Sequence, residues 1–236
     1  MNIRRLLFPP GAECLLCGNP RRADETYSLC PECRAALLRE RLRENLCLRC
    51  MHPMNKKGIC PFCKAGRMEG LSAGYGAYHY GGLAGQLIRT LKFRYQDEAA
   101  AALSAGMSQC FPAAGYDALV PVPLHRSRLR MRGANQAEIL SRQVGERTGL
   151  PVMDVLVRTR PTRPQTRLDA KGRRENVEGA FALRSPVKGL RLLLVDDVRT
   201  TGATARACAR VLSAGGAKNV GILTAAIAVQ GAEKRK

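Results

Sequence analysis

The sequence predicts an α/β protein: a mostly parallel sheet flanked by helices, with a small N-terminal Cys-rich metal-binding domain. Three observations carry this. Eight of the ten cysteines fall into four Cys-x-x-Cys pairs, all before residue 64. From about residue 70 onward, short apolar runs alternate with segments of helical periodicity, the pattern of strands joined by crossover helices. One apolar run, Leu190 to Val195, ends in two adjacent carboxylates and passes through a Thr-Thr-Gly turn into a helix. The expected division is a head over residues 1–66 and an α/β domain over residues 67–236.

The head is dense in Cys, Arg and Pro and lacks long apolar runs, so it needs metal to hold a fold. Cys14/Cys17 and Cys30/Cys33 form two knuckles separated by twelve residues, and Cys47/Cys50 and Cys60/Cys63 two more separated by nine. Each Cys-x-x-Cys turn presents two sulfurs to one ion, and two turns complete a tetrahedron, so about two structural zinc ions are expected. Consecutive pairing gives two small ribbons; cross-brace pairing would interleave them. Both remain open at this level. No iron–sulfur spacing matches. His52 follows Cys50 but is not needed as a ligand. Of the two isolated cysteines, Cys208 is expected in the core.

In the α/β domain, Gly74 to Tyr80 alternates loosely and predicts an edge strand. Leu83, Leu87, Ile88 and Leu91 share one helical face, and Glu98 to Met107 is Ala-rich and helical. Asp117 to Pro123 predicts a short buried strand stopped by proline. Asn135 to Thr148 predicts a helix through Ile139, Leu140 and Val144, and Val152 to Val157 a strand. Arg158 to Val177 has no apolar periodicity and predicts a long loop. Leu190 to Val195 is a strand, Ala203 to Leu212 a helix, and Asn219 to Val229 the last strand.

The chain has 39 Lys and Arg against 19 Asp and Glu, a formal charge of +20. Two zinc–tetrathiolate centres would remove about four of those charges. The remaining excess points to anionic partners such as phosphates or nucleic acid. No run of about 18 apolar residues exists, which excludes a membrane-spanning helix. The apolar run within Met1 to Pro10 is too short for a signal peptide, and a cytoplasmic location is expected.

The segment from Arg191 to Leu212 carries the most chemistry. A buried strand delivers Asp196 and Asp197 at its carboxyl end, the edge where open α/β sheets bind ligands. Arg199-Thr200-Thr201-Gly202 then enters a helix, whose free N–H groups and positive end attract phosphate. Gly202 permits close backbone approach; Thr200, Thr201 and Thr204 add hydroxyl donors. An anion cradle beside paired hydroxyl acceptors suits a sugar with a 5′-phosphate and two free hydroxyls.

A second basic tract follows Val120-Pro121-Val122-Pro123. Between His125 and Arg174 there are thirteen Lys or Arg and four Asp or Glu. A loop over Leu124 to Gly133 is expected, with Arg126, Arg128, Arg130 and Arg132 beside Arg174 as ligands for a diphosphate. A nucleic-acid backbone would suit the same arginines. The stretch from Asp117 through Ala180 has no Phe, Tyr or Trp, so it offers phosphate contacts without stacking partners. No side chain stands out as a catalytic base; His79 and His125 are isolated.

The run from Leu193 to Thr204 resembles the phosphoribosyl-pyrophosphate motif of type I phosphoribosyltransferases. The resemblance implies that Asp196 and Asp197 hold the ribose hydroxyls at the catalytic centre. It implies that Thr200, Thr201, Gly202, Ala203 and Thr204 hold the 5′-phosphate, largely through backbone N–H groups, with Mg²⁺ accompanying the diphosphate. Arg199 falls at a variable position and inherits no role. The order of parts across nearly the whole chain resembles the ComF family of late-competence proteins. The resemblance rests on the paired Cys knuckles, Leu91-Lys92-Phe93, Val120-Pro121-Val122-Pro123 and Arg132-Gly133-Ala134-Asn135-Gln136. Arg158-Thr159, Gln165, Leu168, Arg174, Asn176-Val177, Ala180-Phe181 and the Asp-Asp loop complete it. Where that family usually has Phe, this chain has Ala134. The resemblance implies a type I phosphoribosyltransferase-like domain, single-stranded DNA as a partner during DNA uptake, and a competence helicase partner. Two functions are then in play: a phosphoribosyltransferase with an unknown acceptor, or a non-catalytic zinc-headed DNA-binding module that senses ribose phosphates.

Overall fold

The computed structural model describes residues 13–20, 28–92, 96–160 and 179–228. Arg174, Gln165, Leu168 and most of the expected 158–177 loop lie outside them, as does Phe93.

Four parallel strands form the central sheet: β1 (Gly74–His79), β2 (Ala118–Pro121), β5 (Arg191–Arg199) and β6 (Asn219–Ile227), in the order β1-β6-β5-β2. A separate antiparallel pair joins β3 (Leu156–Arg158) to β4 (Phe181–Leu183). In the head, α1 (Pro31–Arg39) and α2 (Pro61–Lys64) each begin at a cysteine whose sulfur accepts from the N–H three residues on. The remaining helices are α3 (Gly82–Leu91), α4 (Gln96–Met107), α5 (Arg126–Arg132), α6 (Gln136–Thr148) and α7 (Ala203–Ala214).

The two faces of the sheet follow from side-chain alternation along β5. Leu193 and Val195 pack with Leu87, Leu91, Leu103 and Val144 of α3, α4 and α6, while Leu192 and Leu194 pack with Cys208 and Leu212 of α7. Cys208 is fully buried, as expected. Both face clusters extend into the head. Cys14 and Cys30 belong to the first, and Cys47, Cys50, Cys60 and Cys63 to the second. The outer edge of β1, which would otherwise offer unpaired backbone groups, is covered by head residues. Leu42 N–H donates to the Ala77 carbonyl at 3.0 Å, and His79 N–H to the Glu40 carbonyl at 3.2 Å. The N-cap of α3 is a glycine without a capping side chain. Glu40 serves instead, its carboxylate accepting from the N–H groups of Leu83 and Ala84 at 2.8 and 2.9 Å.

Three elements differ from the sequence expectation. The basic segment after Pro123 is a helix, not a loop. His125 Nδ1 caps it from the Ser127 N–H, Gly133 ends it with φ 79°, and Arg, Leu and Met between them are good helix formers. The strand expected over Val152 to Val157 is split. Val152 makes a single parallel bridge to Leu119, and the chain then leaves the sheet to form β3. Finally, β5 continues beyond Val195 to Arg199, because β6 offers backbone partners along its whole length, down to Arg199 opposite Ile227. Asp196 and Asp197 therefore sit inside a strand.

Candidate functional site

The cysteines pair consecutively. Cys14, Cys17, Cys30 and Cys33 form one cluster and Cys47, Cys50, Cys60 and Cys63 another, each with its sulfurs within 4.8 Å of one another. Cys17 and Cys30, Cys47 and Cys63, and Cys50 and Cys60 are each 3.7 Å apart. A tetrahedral ion with Zn–S bonds of about 2.3 Å requires S–S edges of roughly 3.8 Å, so both clusters fit zinc. The four-sulfur shells leave no open coordination position, which makes these structural sites. The second is wholly buried, whereas Cys17 of the first is exposed.

At the carboxyl ends of β2 and β5 a cavity of about 310 Å³ opens. The main-chain N–H of Asp197 donates to Asp196 Oδ1 at 2.8 Å, and that of Val198 to Asp197 Oδ1 at 2.7 Å. These bonds fix both carboxylates. Lys92, just past α3, places its ammonium 2.8 Å from Asp197 Oδ2. Gly202 then turns the chain into α7 at φ 67°, a left-handed conformation that a side chain would strain. The first turn of α7 borders the cavity through Ala203 and Thr204. Arg128, Arg132 and Arg158 add positive charge to the lining. Arg158 is buried over the Phe181 ring, 5.3 Å from its centroid. Burial, followed by the Arg128 charge, lowers its pKa. The cavity thus joins an acid pair, a helix N-terminus and the cationic residues Lys92, Arg128, Arg132 and Arg158, with Arg199 also at its border.

Residues 3–64 match the double zinc ribbon domain family. The DNA utilization protein YhgH of Salmonella typhi is 32% identical over 226 residues, 91% of this chain and 96% of its own length. Competence protein ComFC of Bacillus subtilis is 27% identical over 218 residues, 84% of this chain and 88% of its own. The chain belongs to the ComF family. Among solved structures, the glutamine phosphoribosylpyrophosphate amidotransferase from B. subtilis complexed with ADP and GMP overlays 55% of this chain and 26% of its own. The TM-score is 0.39 at 21% identity. The family assignment rests on the Salmonella relative rather than on this overlay.

This ComF chain gathers Asp196, Asp197, Thr200, Gly202, Ala203 and Thr204 at the cavity. Thr201 departs from expectation: it is buried beside the loop, does not line the cavity, and its Oγ1 has no hydrogen-bond partner. The four arginines of α5 divide by helical phase. Arg128 and Arg132 are four apart and face the cavity; Arg126 and Arg130 are exposed on the other side and do not line it. Arg174 lies outside the described residues. Ala134 packs partly buried against the core and does not line the cavity, so the position where the family usually has Phe is a packing position here. His79 is exposed and His125 caps α5; neither borders the cavity. Sequence reasoning gave no role to Lys92, Asn135, Gln136 or Arg158, all of which line it. Membership in the ComF motifs was their only signal. Among the described residues no helix is long and apolar enough to cross a membrane.

The acid pair makes a pH prediction. Burial, then the Asp197 charge, pushes the Asp196 carboxyl up to about 8. The folded chain therefore keeps a proton that the unfolded chain releases near pH 4, and stability falls as pH rises from there through about 8. Asp196→Asn removes this dependence. In thermal melts the variant is expected to overtake the parent between pH 5 and pH 8.5, and parallel curves would refute the assignment.

Proposed function

We propose that this ComF-family chain binds phosphoribosyl pyrophosphate with Mg²⁺ in the cavity, binds single-stranded DNA, and acts in DNA uptake during competence, in the cytoplasm. One observation carries the binding reading: a carboxylate pair, a helix N-terminus and five cationic residues border a single cavity of about 310 Å³. Asp196 and Asp197 accept from the ribose hydroxyls. The N–H groups at the start of α7, with Thr200 and Thr204, receive the 5′-phosphate. Lys92, Arg128, Arg132 and Arg158 surround the diphosphate and stabilise the charge it gains on leaving. The carboxylate oxygens of Asp196 and Asp197 fit a hard divalent ion, and Mg²⁺ brought with the diphosphate supplies charge neutralisation there. In this reading residues 1–66 are the zinc head and residues 67–236 the phosphoribosyltransferase-like domain.

The DNA part is supported by what the relatives are called, a DNA utilization protein and a competence protein, and by the +20 charge. A competence helicase is the partner that the family resemblance implies. The chemical outcome is phosphoribosyl transfer to an acceptor not yet named. One observation favours the alternative, a sensing module without turnover: neither His79 nor His125 lines the cavity. Screening nucleobases, amines and DNA ends for pyrophosphate release separates the two. Release with any acceptor establishes the enzyme; tight binding with none establishes the sensor.

The arginines of α5 offer a cleaner division. Arg126→Ala with Arg130→Ala should weaken single-stranded DNA binding and flatten its salt dependence by up to about two phosphate contacts, roughly 0.7 in slope for each. Phosphoribosyl pyrophosphate binding should be unchanged. Arg128→Ala with Arg132→Ala should do the reverse, weakening the diphosphate ligand about tenfold or more. Fluorescence anisotropy across a salt series and calorimetry read the two effects. Identical behaviour of both pairs would mean that one surface serves both ligands.

A further inference from the structure

Two arginines bracket the turn at residues 200–202: Arg199 reaches the second zinc ribbon at Cys50, and Arg206 reaches Arg67, just past it. Arg199, the last residue of β5, is 7% exposed. Its Nη2 donates to the carbonyl of Cys50, a residue of the second four-cysteine cluster, and its Nη1 lies 3.9 Å from Met68 Sδ. Its Nε has no partner. Among the described residues no carboxylate pairs with it. A buried guanidinium without a counter-charge is costly. The group beside it is the second cysteine cluster, whose Cys50 carbonyl it reaches directly. A zinc–tetrathiolate centre carries a charge of about −2.

The path of this side chain is shaped for it. A Cβ added at Gly74 would lie 2.8 Å from Arg199 Nη1 and 3.2 Å from Met68 Cε. From the other side of the turn, Arg206 Nη1 donates to the Thr201 carbonyl and to the Arg67 carbonyl, each at 2.9 Å. The loop is thus tied at Cys50 and at Arg67, on either side of the Cys60/Cys63 knuckle.

We propose that Arg199 couples the second zinc site to the phosphate loop, with Arg206 as a second strut, so that the loop keeps its ligand-ready shape only while that site holds zinc. The zinc fixes the Cys47–Cys50 knuckle and hence the carbonyl that receives Arg199. It also completes the anionic centre that compensates the buried guanidinium. Arg199 is a positioning residue in this scheme: it acts through the loop. What the loop binds rests on the function proposed above, whereas the coupling itself does not.

The test uses the full chain and two readouts, zinc release to a chelating dye and amide exchange of the segment 200–204 by mass spectrometry. Arg199→Met keeps an unbranched apolar stem and removes the guanidinium with its charge and its bond to the Cys50 carbonyl. One of the two zinc ions should then leave about 10–100-fold faster, the range for loss of a partner that supports a metal ligand, while the other is unchanged. Exchange over 200–204 should rise. Cys60→Ser should raise exchange there at least as much, since it also lowers the stability of the sheet, and adding Arg199→Met to it should raise exchange no further. Unchanged zinc release in Arg199→Met, or effects on exchange that simply add, overturns the proposal. Should that variant fail to fold, stepwise zinc withdrawal from the unaltered chain decides the matter. Loop exchange must rise with loss of the second-site ion and not of the first, and a loop indifferent to both refutes the coupling. Phosphoribosyl pyrophosphate affinity is measured alongside by calorimetry. Coupling without binding sinks the functional reading alone, and binding without coupling sinks this inference alone.

Discussion

Replacing Asp196 and Asp197 together with asparagine should remove the entire rise in melting temperature that phosphoribosyl pyrophosphate with Mg²⁺ gives the native chain. A ligand present at about 100 times its Kd stabilises the state it binds by about 2.7 kcal/mol. For a chain of this size that amounts to roughly 5–10 °C, a shift readily resolved. The double substitution keeps the shape of both side chains and removes the carboxyl oxygens that would accept from the sugar and from Mg²⁺, so the shift should fall to near zero. The apoprotein loses the Lys92–Asp197 ion pair in this variant, so each melting temperature with ligand is compared with that of the same chain without it. A shift of undiminished size in the variant would remove the cavity from consideration as the binding site.

The second large effect concerns zinc. Metal analysis should find about two ions per chain, and loss of the second should unfold more than the head. Apparent zinc-binding free energies in small structural sites are about 10–16 kcal/mol, which equals or exceeds the net stability of most domains. Cys47, Cys50, Cys60 and Cys63 share one apolar cluster with Leu194, Ile222 and Leu212 of the sheet and α7. Cys60→Ser should therefore give a single, strongly lowered unfolding transition seen equally by far-ultraviolet circular dichroism and by exchange in β5. Cys14→Ser, at the site with an exposed ligand, should cost less. A head that melts separately in both variants would show that the two parts are independent.

Much of this was legible in the sequence because local signals are strong where chemistry is local. The Cys-x-x-Cys spacing declares its ligands, since each pair must meet one ion. The strand–Asp-Asp–Thr-Thr-Gly–helix run declares a ligand edge, since strand, turn and helix N-terminus are contiguous. What could not be read depends on contacts far apart in the chain. Nothing in the spacing joins Lys92 to Asp197, 2.8 Å away in space, or Glu40 to the start of α3. The α5 segment misled for a different reason: its arginines suggested a loop, but Arg is a good helix former and the ends of the segment are capped by His125 and Gly133. Thr201 lies in the right motif yet turns inward, because the turn fixes the phase of each side chain and places only Thr200 and Thr204 toward the cavity.

The strand order β1-β6-β5-β2 also sets a timetable. During synthesis the cysteine pairs and β1 leave the ribosome first, with the outer edge of β1 already served by residues 40–42. The inner partner of β1 is β6, the last strand to be made. Until then the zinc ribbons and β1 stand on one side of a gap, and β2 and β5 on the other. Among the described strands, only β6 joins the lone β1 to the β2–β5 pair. An early strand and a late one therefore lie side by side, and a chain stopped before Asn219 would have its metal sites and its Asp-Asp loop but nothing to join β1 to β5.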